Sequence, residues 1–254
     1  MKRKLYIGPL GRNGDIMQIL PALSYEYLVS GVKPRLMVAV EFFPLLMGCS
    51  YLEPVCFNGH WTEVTNALAY AKSVYGDHEH INCCTYGQHY RFQRQSSNYQ
   101  REIWRLSQCP EPFQSLPLAF TKRDKENEPR VVDGPYIVVH FGGVSSPFFH
   151  GDLVRRLIAQ FDISVVDFDG LRFEHLYDSL MLLENAEGII CSDSAFLHLA
   201  RAVPDLPMIA FLCDGPADWN VTQPPDQAIV AFNYKSVPKA ELEIAIALNT
   251  LITC

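Results

Sequence analysis

Two aspartates and two histidines fall where short polar turns follow apolar runs. Asp15 closes the turn Gly11-Arg-Asn-Gly-Asp15, just after the strand-like run of residues 4–10. A carboxylate there, at the start of a helix, either caps that helix or serves as a general base toward a substrate hydroxyl, and the two roles can coexist. Arg12 and Gly14 share the turn, and its glycines let the backbone pass close to a ligand. Asp193 lies in Ser192-Asp-Ser194, between the apolar run of residues 188–191 and a helical pattern reaching Arg201. Ser, Asp and small residues at such a junction leave backbone N–H groups at a helix N-terminus, suited to a phosphate or diphosphate. The plain alternative is a helix capped by Asp193 or Ser194. Ala195 opens that helix, and His198 lies one turn beyond Ser194 on the same face, as part of the site or as a core histidine. His140-Phe-Gly-Gly143 ends another apolar run and precedes Ser145 and Ser146; glycines with hydroxyls suit a phosphate or sugar, or a tight loop.

Other polar groups read as ordinary turns. Asp167 and Asp169 follow a strand, where a carboxylate can meet a ribose hydroxyl, but Gly170 makes a turn aspartate the simpler reading. Asp214-Gly-Pro216 reads as a Gly-Pro turn. Asp77-His-Glu-His80 has no further ligands placed around it and reads as a solvated loop, so no metal site is expected. Residues 8–15 have neither the dinucleotide fingerprint nor the P-loop pattern.

The elements that position these turns alternate. Strands are expected at residues 4–10, 35–40, 54–57 and 81–86, with helices at 16–30, 44–49, 62–74 and 97–106 between or after them. Pro21 predicts a kink or a late start in the first helix, and Gly31 ends it. Residues 121–134 are the most polar run and read as a linker. A second alternation follows, with strands at 136–140, 164–168, 188–191, 207–212 and 228–232. Its helices are expected at 152–161, 175–185, 194–203 and 238–251. This predicts an α/β protein with parallel sheets covered on both faces, split into residues 1–121 and 134–254. The last helix could return to pack on the first half. Ligands of such sheets bind outside the carboxyl ends of the strands.

The 254 residues are 48% hydrophobic and carry a net charge of −7, with no overall electrostatic footprint for nucleic acid. A local basic segment does exist: Arg91, Arg94, Arg101 and Arg105 are interleaved with Tyr90, Phe92, Tyr99 and Trp104. No two of the eight cysteines show C-x-x-C spacing, and several sit in apolar runs; with no signal peptide preceding them, they read as free thiols in a reducing cytoplasm. No apolar run reaches transmembrane length.

Four segments, in order, resemble glycosyltransferase family 9, the ADP-heptose:lipopolysaccharide heptosyltransferases. Gly11-Arg-Asn-Gly-Asp-Ile-Met-Gln-Ile-Leu-Pro-Ala-Leu23 is similar to that family's L-G-D-x-x-x-x-x-P-A-L segment. Tyr136-Ile-Val-Val-His-Phe-Gly-Gly143 resembles its strand and Pro-Gly loop. Cys191-Ser-Asp-Ser-Ala-Phe-Leu-His-Leu-Ala200 resembles its D-[ST]-[GA]-x-x-H-L-A motif, and Met208-Ile-Ala-Phe-Leu-Cys-Asp-Gly-Pro216 its following strand and Gly-Pro turn. The chain departs from the pattern at Ala195, where the family has glycine, and in residues 145–150, which lack the family's lysine. It is also shorter than the family's members.

The resemblance implies a GT-B fold, two Rossmann-like domains facing a central cleft, with the acceptor on the first and the nucleotide sugar on the second. It implies inverting, metal-independent transfer of a sugar from a nucleotide-diphosphate donor to an acceptor hydroxyl, without a cofactor. Asp15 matches the family's base. Gly14, His140, Gly142, Gly143, Ser192, Asp193, Ser194, Ala195 and His198 match its donor side. Compact relatives in bacteriophages make a hydroxylated pyrimidine in DNA one expected acceptor and a saccharide the other, with Arg12, Arg91 and Arg94 as its contacts. A non-catalytic nucleotide- or sugar-binding protein and a sugar-nucleotide epimerase are the alternative readings.

Overall fold

The computed structural model describes residues 2–85, 99–114, 117–123, 133–144, 147–213 and 228–253. The chain divides into two compact units, residues 1–123 and 124–254. In the first, β1 (Lys4–Ile7), β2 (Arg35–Ala39), β3 (Glu53–Phe57) and β4 (Glu79–Asn82) form one parallel sheet in the order β3-β2-β1-β4. Its helices are α1 (Asn13–Ser30), α2 (Phe43–Leu46), α3 (Val64–Val74), α4 (Tyr99–Leu106) and α5 (Glu111–Gln114). Leu5, Ile7, Met37, Val55 and Phe57 pack with Ala67 and Ala71 of α3, while Tyr6, Leu36 and Val38 are also buried. Burial of successive residues is what a parallel sheet covered on both faces requires, and it explains the continuous apolar runs in the sequence.

Two expectations shift here. The first strand ends at Ile7, because Gly8 takes a left-handed conformation (φ 80°), yet the chain stays beside β2: the Ala39 amide donates to the Leu10 carbonyl at 2.7 Å. Helix α1 begins at Asn13, with no late start at Pro21, and runs through that proline. The missing bond of Pro21 is offset by burial of Ile16, Ile19, Leu20 and Leu23 around it. Gly31 terminates α1 as expected, left-handed at φ 68°, its amide donating to Tyr27 O at 2.8 Å.

In the second unit β5 (Tyr136–His140), β6 (Ser164–Asp167), β7 (Gly188–Ser192), β8 (Met208–Leu212) and β9 (Ala228–Asn233) form a parallel sheet in the order β6-β5-β7-β8-β9. Helices α6 (Gly151–Ile158), α7 (Leu180–Glu184), α8 (Ala195–Leu199) and α9 (Glu241–Thr253) accompany it. The single helix expected at 175–185 is a 3-10 turn, Leu176–Ser179, followed by α7, and its start is fixed by Asp178 accepting from the His175 amide at 2.9 Å. Pro238 lies in a 3-10 turn ahead of α9. The apolar face of α9, Ile244, Ala247, Leu248 and Leu251, belongs to the core of the second unit, with Ile137, Val139, Ile190, Ile209 and Phe211. This face of α9 therefore packs on the sheet of its own unit. A Cβ at Gly188 would stand 2.8 Å from Leu251 Cδ1, so this close packing depends on glycine.

Both sheet orders reverse direction once. From β5 the chain goes to β6 on one side, then crosses to β7 on the other; from β1 it goes to β2 and β3, then crosses to β4. At such a switch point, the crossovers leave a crevice at the carboxyl ends of the two central strands. The ends of β5 and β7 carry His140 and Ser192, and the end of β1 leads to Asp15.

Candidate functional site

The β5–β7 pairing sets His140 opposite Cys191, which brings the two polar turns of the second unit side by side. Asp193 is 4% exposed; its amide donates to Phe211 O at 2.8 Å, and its Oδ2 accepts from the Cys213 amide at 3.4 Å. Ser194, in extended conformation, caps α8: its Oγ accepts from the Phe196 amide at 3.3 Å. Two of the junction's amides are therefore committed. Those of Ser194 and Ala195 make no hydrogen bond to any described residue, and they are the donors this turn offers to an anion. Tyr234, just after β9, lies against Ser192 and Asp193; burial, reinforced by the Asp193 charge, pushes its phenol pKa up. Nothing in the sequence connects Tyr234 with this turn, since the link runs through the β8–β9 pairing.

His198 is buried behind the turn. Burial, helped by the positive charge of Arg201, pushes its pKa down to about 3, so it is neutral at any ordinary pH.

The His140–Gly143 loop is organised by Asp169. One carboxylate oxygen, Oδ1, lies 2.5 Å from His140 Nδ1 and accepts from the Gly142 amide at 3.1 Å; Oδ2 accepts from the Phe141 amide at 3.2 Å. Arg155 Nη2 stands 3.6 Å from Asp169 Oδ2 and donates to Asp167 Oδ2 at 2.9 Å. The Gly143 amide donates to Phe141 O at 3.1 Å. The three loop amides are thus already donating within the described residues. Glycine is needed at 142 for the clamp itself, because a Cβ there would lie 2.6 Å from Asp169 Oδ1. Phe168 and Phe196 stack on each other with centroids 4.0 Å apart and stand edge-on to the His140 ring.

In the first unit, Asp15 lies in the first turn of α1, half-buried. Arg12, at the N-cap, has a positive φ of 64°, unusual for a side-chain-bearing residue, and its guanidinium lies over the Trp61 ring, 5.1 Å from its centroid. Gly14 follows inside the helix. Arg91 and Arg94 lie outside the described residues, as do Ser145, Ser146 and the Asp214–Pro216 turn. Arg105 pairs with the buried Glu102 on α4. Among the described residues no group of three or more His, Cys, Asp or Glu is arranged to hold a metal, and no helix is long and apolar enough to cross a membrane.

Two Rossmann-like parallel sheets, each with polar turns at its switch point, are the α/β architecture of the GT-B fold. Solved structures of that class superpose along nearly the whole chain. ADP-heptose lipopolysaccharide heptosyltransferase II of E. coli is 16% identical with a TM-score of 0.61, covering 99% of this chain and 98% of its own. A glycosyl transferase of family 9 from Veillonella parvula is 11% identical, TM-score 0.60, covering 99% and 97%. The E. coli heptosyltransferase WaaC with ADP is 14% identical, TM-score 0.56, covering 96% and 99%. The chain has the family 9-like fold of these glycosyltransferases. No protein-family profile matches the sequence, and neither does any curated protein.

Proposed function

We propose that the protein is a glycosyltransferase that moves a sugar from a nucleotide-diphosphate sugar to an acceptor hydroxyl, with inversion and without a metal. The observation that carries this is the pair of open amides, Ser194 and Ala195, at the switch-point end of β7, in a fold shared with enzymes whose names and ligands are ADP-heptose and ADP. Asp15 takes the proton of the acceptor hydroxyl as that oxygen bonds to the anomeric carbon. The bond from that carbon to the diphosphate oxygen breaks in the same displacement. The departing diphosphate gains negative charge facing the Ser194 and Ala195 amides, fixed dipoles that need no reorganisation. Asp193, Ser192 and neutral His198 hold the turn in shape. His140, with Gly142 and Gly143 beside it, forms the neighbouring wall of the donor pocket, and residues 134–254 form the donor-binding half.

Arg12 is the acceptor-side cation of residues 1–121, with Arg91 and Arg94 as its companions. The acceptor is a hydroxylated pyrimidine in DNA or a saccharide. The setting is the reducing cytoplasm, in keeping with the seven described cysteines being free thiols.

The test is thermal-shift screening against a panel of nucleotide sugars, followed by incubation of each hit with hydroxymethylated DNA and with saccharide acceptors. A stabilising donor raises the melting temperature by mass action, and mass spectrometry reads the transferred sugar. No stabilisation by any nucleotide sugar would overturn the reading.

A further inference from the structure

We propose that Asp169 is a positioning residue that holds His140 as its Nδ1–H tautomer, leaving Nε2 as a hydrogen-bond acceptor for a hydroxyl of the bound sugar nucleotide. The inference rests on the sugar-nucleotide reading above for the identity of the ligand, and on the geometry of the second unit for the rest. Every described group around the Asp169 carboxylate is a donor: the Phe141 and Gly142 amides and the Arg155 guanidinium. A carboxylate so surrounded accepts, and the imidazole atom that meets it at 2.5 Å, Nδ1, must then carry the proton. His140 is 8% exposed, and burial lowers its pKa, with Asp169 and Asp167 acting in the opposite sense; the neutral ring keeps one proton, already placed on Nδ1. Phe168 and Phe196 confine the ring's orientation. Nε2 is the remaining polar atom, with no hydrogen-bond partner among the described residues.

The consequence is selectivity. A neutral imidazole lone pair accepts from a hydroxyl and repels a phosphate oxygen, which has no proton to offer at neutral pH. His140 therefore reads the sugar part of the ligand, while the Ser194 and Ala195 amides meet the phosphates. The sequence hides this division, because Asp169 reaches His140 only through the β5–β6 pairing, in which Val139 faces Asp167.

The tautomer is read in the unliganded, full-length protein by nitrogen NMR of 15N-histidine label. The expected spectrum shows a pyrrole-type Nδ1 and a pyridine-type Nε2 for His140. Asp169→Asn, which keeps an acceptor oxygen, retains it; Asp169→Ala gives a mixture of tautomers. An Nε2–H tautomer or an imidazolium in the wild-type chain at neutral pH overturns the proposal, as does an unchanged spectrum in Asp169→Ala. The ligand arm uses ADP-glucose and inorganic diphosphate as probes. His140→Phe should weaken ADP-glucose about tenfold, the loss of one hydrogen bond, and leave diphosphate unchanged. Equal weakening of both probes overturns the selectivity. Because the tautomer is measured without ligand, its failure is a separate result from failure of the sugar-nucleotide reading.

Discussion

Trp61 stands where a side chain on Gly11 would have to go. A Cβ at position 11 would lie 2.3 Å from Trp61 Cβ and 2.7 Å from Phe42 Cε2. The loop that leads from β1 to Asp15 is thus pressed against the indole, which also carries the Arg12 guanidinium. Gly11→Ala forces either the loop or Trp61 to move, an overpacking cost of about 1–3 kcal/mol. Urea denaturation should show that loss. A variant as stable as the parent would mean that the loop is held elsewhere.

Asp15→Asn keeps the shape of the first turn of α1 and removes the proposed base. Transfer should fall by a factor on the order of 100 or more, while the affinity for the donor, held in the second unit, stays within about twofold of the parent. Isothermal titration and a product assay separate the two. Retention of most of the transfer rate would remove Asp15 from the mechanism.

Ser194→Ala deletes the bond that caps α8. The expected loss is about 1 kcal/mol of stability, measured by denaturant midpoint at constant slope. Donor affinity should change less than in a variant that redirects the Ser194 and Ala195 amides themselves, such as proline at 195, which removes one amide outright.

The depressed pKa of His198 makes stability pH-dependent in a definite direction. Unfolded, the ring takes a proton below the ordinary histidine value of 6.5; folded, it refuses one until about pH 3. Between those limits the unfolded chain holds more protons, so stability is fully present above pH 6.5 and falls as the pH drops toward 3. This one group contributes a slope of up to about 1.4 kcal/mol per pH unit. His198→Gln should flatten the acid side of the stability curve by up to that amount. His140, whose pKa is also lowered, adds in the same direction and remains in the variant.

Stripping divalent cations with a chelator should leave the transfer rate unchanged, since the proposed charge stabilisation comes from backbone dipoles. A rate that collapses and returns with added cation would assign the diphosphate to a metal.

What the sequence made legible follows from locality. Residues 188–203 carry their pattern within one stretch: an apolar strand, a Ser-Asp-Ser turn and a helix; the structure forms the strand over Gly188–Ser192 and the helix over Ala195–Leu199, with the rest of the expected helix taken by a 3-10 turn, Ala200–Ala202. The Asp169 clamp and the Tyr234 contact were not legible. Each joins residues far apart in the chain through the register of parallel strands, and single-residue patterns do not encode register. In isolation Asp169 looked like a turn aspartate before Gly170, and it does lie in such a turn, its amide donating to Asp167 Oδ1 at 3.1 Å. The continuous run of α1 through Pro21 was hidden for another reason: local propensity argued for an interruption, and the burial of its neighbours outweighed it.

The packing of α9 on its own sheet has a thermodynamic corollary. With Leu251 seated over Gly188, the second unit closes its own core, and the first closes another around Leu5, Met37 and Ala71. Heat should then melt the chain as two calorimetric events rather than one. A diphosphate-bearing ligand gripped only at Ser194 and Ala195 would delay one event and leave the other where it was, so the scan itself would report which half of the molecule the ligand holds.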